Sequence, residues 1–384
     1  MEKFTIDIPD AAVDDLRTRL GAVRWPDDGR LDEHQTPGQR GPVVSSVRDL
    51  AQRWLELDWR AVEARLNAFP QFVEEIDGVR VHFFHVRSPH EDATPIVLTH
   101  GWPGSAADFI DVIDAMTDPT AHGGSPQDAF HVVLPDIPGF GFSAKPAAGG
   151  WTIPRVAGAW AQLMDRLGYE RYIAQGGDLG AWITQTLLAT DPAAEAGHVN
   201  FLVTPPPPDD PGVVASLDPT SLARIERLGA FMTEGSAYMA LQATRPQTLA
   251  YALTDSPVGL LAWLVEKYHA WSGGPGALSV EQILTHASIY WYTQTAGSAA
   301  HFYADNAALL PTSPVPPPPP PVQEKPFGVG VYREDPAPPI RTLAEPGFRR
   351  LVHWAEHDGG HFAPMEVPHT FVADLRQFRA ALAA

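Results

Sequence analysis

Short apolar runs alternate with longer amphipathic segments along most of the chain after residue 80. The runs predicted as strands are Val81–Phe84, Ile96–Thr99, Val132–Leu134, Tyr172–Ala174, Val199–Val203, Val329–Tyr332 and Leu351–Trp354. Between Pro154 and Leu167, apolar residues recur at steps of three and four, which predicts a helix that Pro154 opens and Gly168 closes. This alternation predicts a mostly parallel sheet covered by helices on both faces.

A helical region without strand patterns interrupts this alternation. Its segments with helical spacing are Ser221–Phe231, Pro246–Ala252, Gly259–Tyr268 and Ser279–Tyr303. The proline runs Pro205–Pro208 and Pro316–Pro321 flank the region, and such runs cannot continue a helix or a central strand. We therefore predict a helical insertion over residues 209–321.

The chain before the first predicted core strand forms a third part. Helical patterns cover Asp10–Leu20 and Val47–Asn67. We predict an N-terminal extension over residues 1–80 that wraps the core and the insertion. The core itself is then divided into a first part, residues 81–208, and a second part, residues 322–384.

Composition narrows the classes of protein that the chain can represent. Of the 384 residues, 44% are hydrophobic, which is enough for a large core. Acidic residues number 46 and basic residues 27, so the net charge is −19, which disfavours binding to nucleic acid or to an anionic membrane. The chain has no cysteine, which excludes disulfides, thiol catalysis and Cys-based metal sites. No signal-peptide pattern and no uninterrupted apolar span of about 20 residues is visible, so we expect a cytoplasmic protein.

The strand Tyr172–Ala174 leads into a glycine-rich turn that precedes an apolar helix. The turn reads Gln175-Gly176-Gly177-Asp178-Leu179-Gly180. Its order, small–x–nucleophile–x–small between a strand and a helix, is that of a nucleophile elbow, with Asp178 in the position of the nucleophile. The alternative is an aspartate that caps the N-terminus of the helix.

An aspartate nucleophile determines the class of reaction. Its carboxylate attacks a saturated carbon and forms an alkyl ester, so that carbon must carry a good leaving group, such as the oxygen of a strained epoxide or a halide. Water then attacks the carboxyl carbon of Asp178, which requires an oxyanion hole. We expect the backbone N–H groups of Leu179 and of Trp102, in the loop His100–Gly104, to form that hole.

A base is expected on the loop after the last strand. The prediction is His361, in Gly359-Gly360-His361-Phe362, because a group with a pKa near 6.5 suits proton removal from water. His353 is interpreted as a buried structural histidine and His357 as a loop histidine. We expect no metal site at His357 and His361, because the two glycines between them disfavour a helix.

An acid that orients the base is expected on the loop after the preceding strand. The residues that follow Val329–Tyr332 are Arg333-Glu334-Asp335. We predict Glu334 as this acid, and Asp335 stays open as the alternative.

Short motifs in all three parts of the chain carry a family resemblance. In the extension they are Phe4-Thr5-Ile6-Asp7-Ile8-Pro9, Arg24-Trp25-Pro26-Asp27, Asp58-Trp59-Arg60, Pro70-Gln71-Phe72 and Ile76-Asp77-Gly78. In the core they are His100-Gly101-Trp102-Pro103-Gly104-Ser105, Pro135-Asp136-Ile137-Pro138-Gly139-Phe140-Gly141, the turn at Asp178 and Gly359-Gly360-His361-Phe362. In the insertion they are Asp255-Ser256-Pro257-Val258-Gly259-Leu260 and Phe302-Tyr303. With these motifs the chain resembles the microsomal-type epoxide hydrolases.

This resemblance implies a fold and an activity. The implied fold is an α/β-hydrolase core with a helical lid insertion and an N-terminal extension, and the implied reaction is hydrolysis of an epoxide to a vicinal diol without a cofactor. It also implies two lid tyrosines that donate protons to the epoxide oxygen. The matching positions are Tyr238 and Tyr303, and Tyr290 and Tyr292 are close enough in sequence to compete with the second.

Side chains near the elbow are expected to contact the substrate. They are Trp102, Leu179 and Phe362. Members of the family commonly have a tryptophan directly after the nucleophile, and the smaller Leu179 is expected to widen the pocket at this point. An aromatic or polyunsaturated epoxide from a bacterial natural-product pathway is the expected substrate.

Two alternatives to this function stay open. A haloalkane dehalogenase uses the same three catalytic groups, but typically holds the halide with an indole beside the nucleophile, which Leu179 does not supply. A non-catalytic small-molecule-binding protein on this fold would have lost a catalytic position. The sequence does not decide between a monomer and a homodimer.

Overall fold

A nine-stranded sheet organises the part of the chain that the structure describes. The computed structural model describes residues 1–27, 40–207, 211–310 and 321–383. The strands are β1 (Glu2–Phe4), β2 (Gln71–Ile76), β3 (Val79–Val86), β4 (Thr94–Thr99), β5 (Phe130–Pro135), β6 (Tyr172–Gly176), β7 (Ala194–Val199), β8 (Gln323–Tyr332) and β9 (Phe348–His357). Their order across the sheet is β1-β2-β3-β5-β4-β6-β7-β8-β9. Strands β4 to β9 pair in parallel, whereas β1, β2 and β3 form an antiparallel edge.

Most of the predicted core strands are confirmed, and one is wrong. Six of the seven predicted apolar runs lie inside observed strands, namely β3, β4, β5, β6, β8 and β9. The run Val199–Val203 does not, because β7 ends at Val199. Phe201 and Val203 line a cavity instead, so their apolar character belongs to a pocket wall.

Helices cover both faces of the sheet. Up to residue 199 they are α1 (Asp10–Gly21), α2 (Val44–Glu56), α3 (Trp59–Asn67), α4 (Ile113–Thr117), α5 (Ile153–Arg166) and α6 (Leu179–Thr190). The middle of the chain contains α7 (Pro211–Ala215), α8 (Pro219–Ala230), α9 (Ala237–Thr244), α10 (Pro246–Asp255), α11 (Pro257–Trp271), α12 (Val280–Thr293) and α13 (Ala296–Asp305). The last ones are α14 (Arg341–Ala344), α15 (Ala363–Glu366) and α16 (Pro368–Leu382). Trp160 of α5 and Leu187 of α6 belong to one core cluster, and Met116 of α4 and Leu375 of α16 belong to another.

Two long helices predicted from the sequence are each broken in two. The predicted helix Val47–Asn67 stops at Glu56 and restarts at Trp59, where the side chain of Asp58 accepts a hydrogen bond from the Ala61 N–H. The predicted helix Ser279–Tyr303 is interrupted at Gln294, whose φ is 55°. Neither break is marked by glycine or proline, so the apolar periodicity continues across it.

The N-terminal extension is part of the sheet as well as a cover for it. Its strands β1 and β2, which the helical patterns did not predict, extend the sheet at the antiparallel edge. The predicted boundary at residue 80 lies inside β3. Helix α2 packs against α11 and α12, and the indole N–H of Trp54 donates to the hydroxyl of Ser288 at 2.8 Å.

The longest apolar segment and the second proline run have different places in this fold. Among the described residues, no single helix has the length and apolar composition to cross a membrane, and α10 and α11 reach them only as a pair bent by 116°. Of the run Pro316–Pro321, all but the last proline lies outside the described residues.

Candidate active site

Asp178 lies on a sharp turn between β6 and α6. Its backbone has φ 49° and ψ −125°, a strained combination for a residue with a side chain. The turn brings chain segments so close together that a Cβ atom on Gly180 would lie 2.0 Å from the carbonyl oxygen of Thr99. The carboxylate accepts no hydrogen bond from the first turn of α6. The geometry is therefore that of the predicted elbow and not of a helix cap.

The two oxygens of the Asp178 carboxylate have different neighbours. Oδ1 accepts a hydrogen bond from the backbone N–H of Trp102 at 2.9 Å. Oδ2 lies 3.5 Å from Nε2 of His361. The second expected oxyanion donor, the N–H of Leu179, makes no hydrogen bond to Asp178 among the described residues. One oxygen thus rests in half of the expected oxyanion hole, and the other faces the histidine.

The carboxylate that binds His361 is Asp335, and the predicted choice of Glu334 is corrected. Oδ2 of Asp335 lies 2.6 Å from Nδ1 of His361, and its Oδ1 accepts the N–H of Ala337 at 2.7 Å. Asp335 is buried, whereas Glu334 is directed to the surface near Arg227. The two residues are adjacent in one turn, but only the side chain of Asp335 is buried against His361.

The protonation of His361 depends on two carboxylates. Burial alone would lower the pKa of His361, but the charge of Asp335 and the nearby Asp178 outweigh it and raise the pKa to about 10. The backbone N–H of His361 also donates to the carbonyl of Trp271 at 2.8 Å, which holds the loop against α11. The resting site therefore has a protonated imidazole between two carboxylates at neutral pH.

The two other candidate histidines are directed away from Asp178. Nε2 of His353 and Nε2 of His357 lie 2.6 Å and 2.8 Å from the same oxygen of Asp374. His357 is the last residue of β9, not a loop residue. His198, His353 and Asp374 are close enough to hold a metal ion, but in the structure the two β9 histidines are already hydrogen-bonded to the carboxylate. This arrangement fits a structural role.

A buried carboxylate connects the loops that present Trp102. Asp136 accepts hydrogen bonds from His82 at 2.8 Å and from the backbone N–H groups of Ala106 and Phe142 at 2.8 Å and 2.9 Å. Burial alone would raise the pKa of Asp136, but these donors, His82 above all, outweigh it and hold the pKa below its usual range. The loop after β4 is thereby fixed to the loop after β5, with the Trp102–Pro103 peptide bond in the cis form.

An apolar cavity opens above Asp178 and His361. The helices of the middle region form its upper wall. Its apolar lining residues include Leu179, Trp182, Phe201, Leu228, Met232 and Leu310. Such a lining favours an apolar small molecule, with the polar groups confined to the floor.

Tyr238 and Tyr303 are the tyrosines that line this cavity. Burial raises the pKa of each well above the usual range of a phenol, so both hydroxyls stay protonated at neutral pH. Tyr290 is engaged elsewhere, because its hydroxyl donates to the carbonyl of Gly104 at 3.1 Å. Tyr292 packs on Trp59 of the extension. The structure thus brings together the two positions that the resemblance implied.

Comparisons with known proteins agree with this geometry. Residues 1–109 match the family model described as epoxide hydrolase N terminus, and residues 94–211 match that of the alpha/beta hydrolase fold. A protein of Stigmatella aurantiaca that is named as an epoxide hydrolase is 43% identical over 97% of this chain and 83% of its own length. Epoxide hydrolase 1 of Sus scrofa is 27% identical over 99% of this chain and 88% of its own length.

A solved structure gives the same result. The epoxide hydrolase of Aspergillus niger superposes with a TM-score of 0.87 at 35% identity, over 98% of this chain and 95% of that one. The chain belongs to the epoxide hydrolase family. Its α/β-hydrolase fold, predicted from the sequence, is confirmed.

A second cavity borders the elbow aspartate of this member of the epoxide hydrolase family. It borders Asp178 and His361 and is lined by polar groups that include Asp108 and Asn200. Burial raises the pKa of Asp108 to about 8. Phe362 lines this cavity and not the apolar one, which corrects its expected place on the substrate side. Trp102 also borders it, and its indole stacks on Tyr238 at 4.9 Å.

Several residues of the site were not predicted from the sequence. Trp182, Phe201 and Leu310 line the apolar cavity but lie in a helix, a loop and a short turn that are far apart in the chain. Asp108 and Asn200 were missed as well, since a single buried polar residue has no spacing signal. Only Asn200 had a local clue, its place directly after β7 in the same sheet as the elbow strand.

Proposed function

We propose that this chain hydrolyses an epoxide to a vicinal diol, without a cofactor, through a covalent ester on Asp178. The observation that carries the proposal is the carboxylate of Asp178, which stands on a strained backbone turn. A backbone N–H lies 2.9 Å from one of its oxygens, and Nε2 of His361 lies 3.5 Å from the other. A carboxylate nucleophile forms esters with saturated carbon, which fits an epoxide. The names of the relatives support the same substrate class.

In the first step, Oδ2 of Asp178 attacks an epoxide carbon while the carbon–oxygen bond of the ring breaks. A proton moves from Tyr238 or Tyr303 to the epoxide oxygen, since an unassisted alkoxide is a poor leaving group. The product is a hydroxyalkyl ester of Asp178. The burial of both tyrosines supports their role, because it keeps the hydroxyls protonated until the ring opens.

In the second step, water attacks the carboxyl carbon of the Asp178 ester. His361 takes a proton from that water, and Asp335 stabilises the resulting imidazolium. The N–H of Trp102, and that of Leu179 once the carboxyl group has reacted, stabilise the negative charge on Oδ1. Collapse of this intermediate breaks the ester bond to the substrate oxygen, which takes the proton of the added hydroxyl, so the diol leaves and the carboxylate and the imidazolium of the resting site are restored. The second cavity is the proposed source of the water, because it is polar and borders both Asp178 and His361.

The first step prepares His361 for the second. Esterification removes the negative charge of Asp178, which is one of the two charges that raise the pKa of His361. The pKa of His361 therefore falls once the ester has formed, and the imidazolium gives its proton to the tyrosine phenolate and becomes available as a base. In this mechanism, the order of the two steps follows from the charges of the site.

A haloalkane dehalogenase is less well supported. A departing halide needs N–H donors and no proton, whereas two protonated phenols line this cavity. Leu179 supplies no indole beside the nucleophile, and the ring of Trp102 is stacked on Tyr238. The natural-product pathway stays a prediction, which a panel with aromatic and polyunsaturated epoxides addresses.

The test is to trap the ester. We expect His361→Gln, incubated with a panel of aryl, alkyl and polyunsaturated epoxides and haloalkanes, to gain the mass of a whole epoxide. Intact-protein mass spectrometry measures the adduct, and peptide mapping should assign it to Asp178. His357→Gln serves as the matched control, because His357 lies in the same strand region but binds Asp374, and it should accumulate no ester.

Two results would contradict the proposal. An adduct from haloalkanes alone, with the halide lost, would assign the chain as a dehalogenase. Absence of any adduct on Asp178, together with absence of diol from the wild-type protein on the same epoxides, would remove the covalent mechanism and the activity together.

A further inference from the structure

A buried lysine contacts the ring of Tyr238. Lys267 lies on α11, and only 5% of its side chain is exposed. Its Nζ atom lies 4.8 Å from the centre of the Tyr238 ring and 5.8 Å from that of Trp271. These distances are within the range of cation–π contacts. The charge of the ammonium group is therefore directed at one of the two tyrosines of the apolar cavity.

Two further contacts hold the ammonium group in this position. It lies 2.6 Å from a carboxylate oxygen of Glu266 and donates to the carbonyl of Gly235 at 3.3 Å. The indole of Trp102 is stacked on Tyr238 with an interplanar angle of 12°, which leaves the other ring face to the lysine. Burying an ammonium group is unfavourable unless it is paired, and Glu266 and the Gly235 carbonyl meet that requirement here while the charge stays beside the ring.

A cation over a phenol ring acts on the proton of its hydroxyl. When the hydroxyl loses the proton, negative charge spreads into the ring, and its attraction to the cation becomes stronger. Burial and the charge of Asp178 act in the opposite direction, because both raise the pKa of Tyr238. The hydrogen bond with Tyr303 lowers the pKa of Tyr238, and a cation beside the ring favours proton release in the same direction. No cation lies over the ring of Tyr303 in the described part of the chain.

We propose that Lys267 is a positioning residue that promotes proton donation by Tyr238 during epoxide opening. The inference rests on the proposed function. As the bond from Asp178 to carbon forms, the ring C–O bond breaks and its electron pair stays on the former epoxide oxygen, which takes the proton of Tyr238, and the phenolate charge develops under the ammonium group. The lysine touches neither the substrate nor the reacting atoms. Tyr238 is accordingly the main proton donor, and Tyr303 chiefly orients the epoxide.

The test measures ester formation alone. In the His361→Gln background, which retains the ester, the rate of Asp178 labelling is followed by quenched-flow mass spectrometry with the aryl epoxide that labels fastest. We expect Lys267→Met to slow labelling by about tenfold, the upper part of the range for a buried cation–π contact. Lys267→Arg should retain most of the rate. Glu266→Gln, the matched control, keeps the ammonium group and leaves an amide oxygen to accept its hydrogen bond, so labelling should stay within about twofold, as expected for a partly exposed ion pair.

A double-mutant cycle separates this role from a structural one. If the lysine acts through the phenol, Lys267→Met should have no further effect in a Tyr238→Phe background, whereas a loss of packing would add to it. Lys267→Gln, which keeps a donor for the Gly235 carbonyl, replaces the methionine variant if that variant unfolds.

The outcomes distinguish this inference from the proposed function. An unchanged labelling rate in Lys267→Met, or an equal fall in the Tyr238→Phe background, would overturn the role of Lys267 while the covalent mechanism stands. No labelling of Asp178 in the His361→Gln parent by any epoxide would mean that the proposed function itself fails.

Discussion

Asp178 and His361 have neighbours that assign a separate task to each atom. The N–H of Trp102 donates to Oδ1, which carries the oxyanion in the proposed mechanism, and Oδ2 is the oxygen proposed to attack. Nδ1 of His361 is occupied by Asp335, so Nε2 is the nitrogen that faces Asp178. The site is therefore ordered before any substrate arrives, which lowers the reorganisation needed during reaction.

The contact of Asp335 with His361 predicts a selective loss in one step. We expect Asp335→Asn to lower the rate of ester hydrolysis by about a thousandfold, because an amide neither stabilises the imidazolium nor favours the correct tautomer. Ester formation should continue, so the adduct on Asp178 should accumulate during turnover. Rapid-quench mass spectrometry separates the two rates.

Glu334→Gln is the matched control for that variant. Glu334 is the adjacent residue and lies at the surface, so its neutral form should turn over as the wild type does. A large loss in Glu334→Gln with normal turnover in Asp335→Asn would reverse the assignment.

The charge of Asp178 predicts a shift in the titration of His361. In the wild type, the imidazole should titrate near the pKa of about 10 that the two carboxylates produce. In Asp178→Asn, which mimics the neutral ester, the pKa should be lower, since one of the charges that favour the protonated form is gone. NMR of the His361 ring carbons across pH 5 to about 11 checks this. The same midpoint in both proteins would exclude the proposed release of the base by esterification.

How far the sequence predicts such a site depends on the type of signal. The elbow and the base could be found because glycines at fixed positions accompany Asp178 and His361. The choice between Glu334 and Asp335 could not, since both are acidic and adjacent, and which one points inward depends on the turn after β8. The residues of the cavity walls are even harder to predict from the sequence, because residues such as Trp182 and Leu310 are far apart in the chain and come together only in the folded structure.

At the scale of secondary-structure elements, the same limit applies to breaks and to strand ends. The interruption at Gln294 separates α12 from α13 and determines where Tyr303 lies, yet the residue type gives no warning of it. The extension strands β1 and β2 pair with the sheet but are short or flanked by helices. The parallel core was predictable because each of its strands is a buried apolar run bounded by polar loops.

Asp136 predicts how strongly the loops after β4 and β5 depend on each other. We expect Asp136→Asn to lower the free energy of unfolding by about 3 kcal/mol at pH 7, because the amide directs N–H donors at other donors in a buried place. The folded pKa of Asp136 is lowered, so its contribution is present above the unfolded pKa of about 3.9 and is lost as the pH falls below it. The difference from wild type should therefore shrink in acid.

Urea unfolding of both proteins at neutral and acidic pH measures this difference. Asp165→Asn, at an exposed position, is the control and should change stability by less than about 0.5 kcal/mol. A pH-independent loss in Asp136→Asn would show that packing, and not the charge of the carboxylate, accounts for the effect.

At the scale of the whole molecule, the extension connects the sheet to the helices above the site. Strands β1 and β2 continue the sheet, while α2 packs on α11 and α12. Helix α11, which carries Lys267, and α12, which directly precedes the helix of Tyr303, are thus supported by residues from the first sixth of the chain. The position of the tyrosines over Asp178 then depends on contacts far from the reacting atoms.

Trp54 offers a direct test of that dependence. Its ring is buried, and its N–H donates to the fully buried hydroxyl of Ser288 on α12. We expect Trp54→Phe to lower the free energy of unfolding by about 1–3 kcal/mol, because it leaves that hydroxyl without a partner. Hydrogen exchange should increase in residues 280–305 more than in β4 to β6, and ester formation should slow as the tyrosines lose their fixed position. Ser288→Ala removes the other partner, and the double variant should cost less than the sum of the two. Uniform exchange throughout the molecule, with normal ester formation, would show that the extension stabilises the fold without positioning the site.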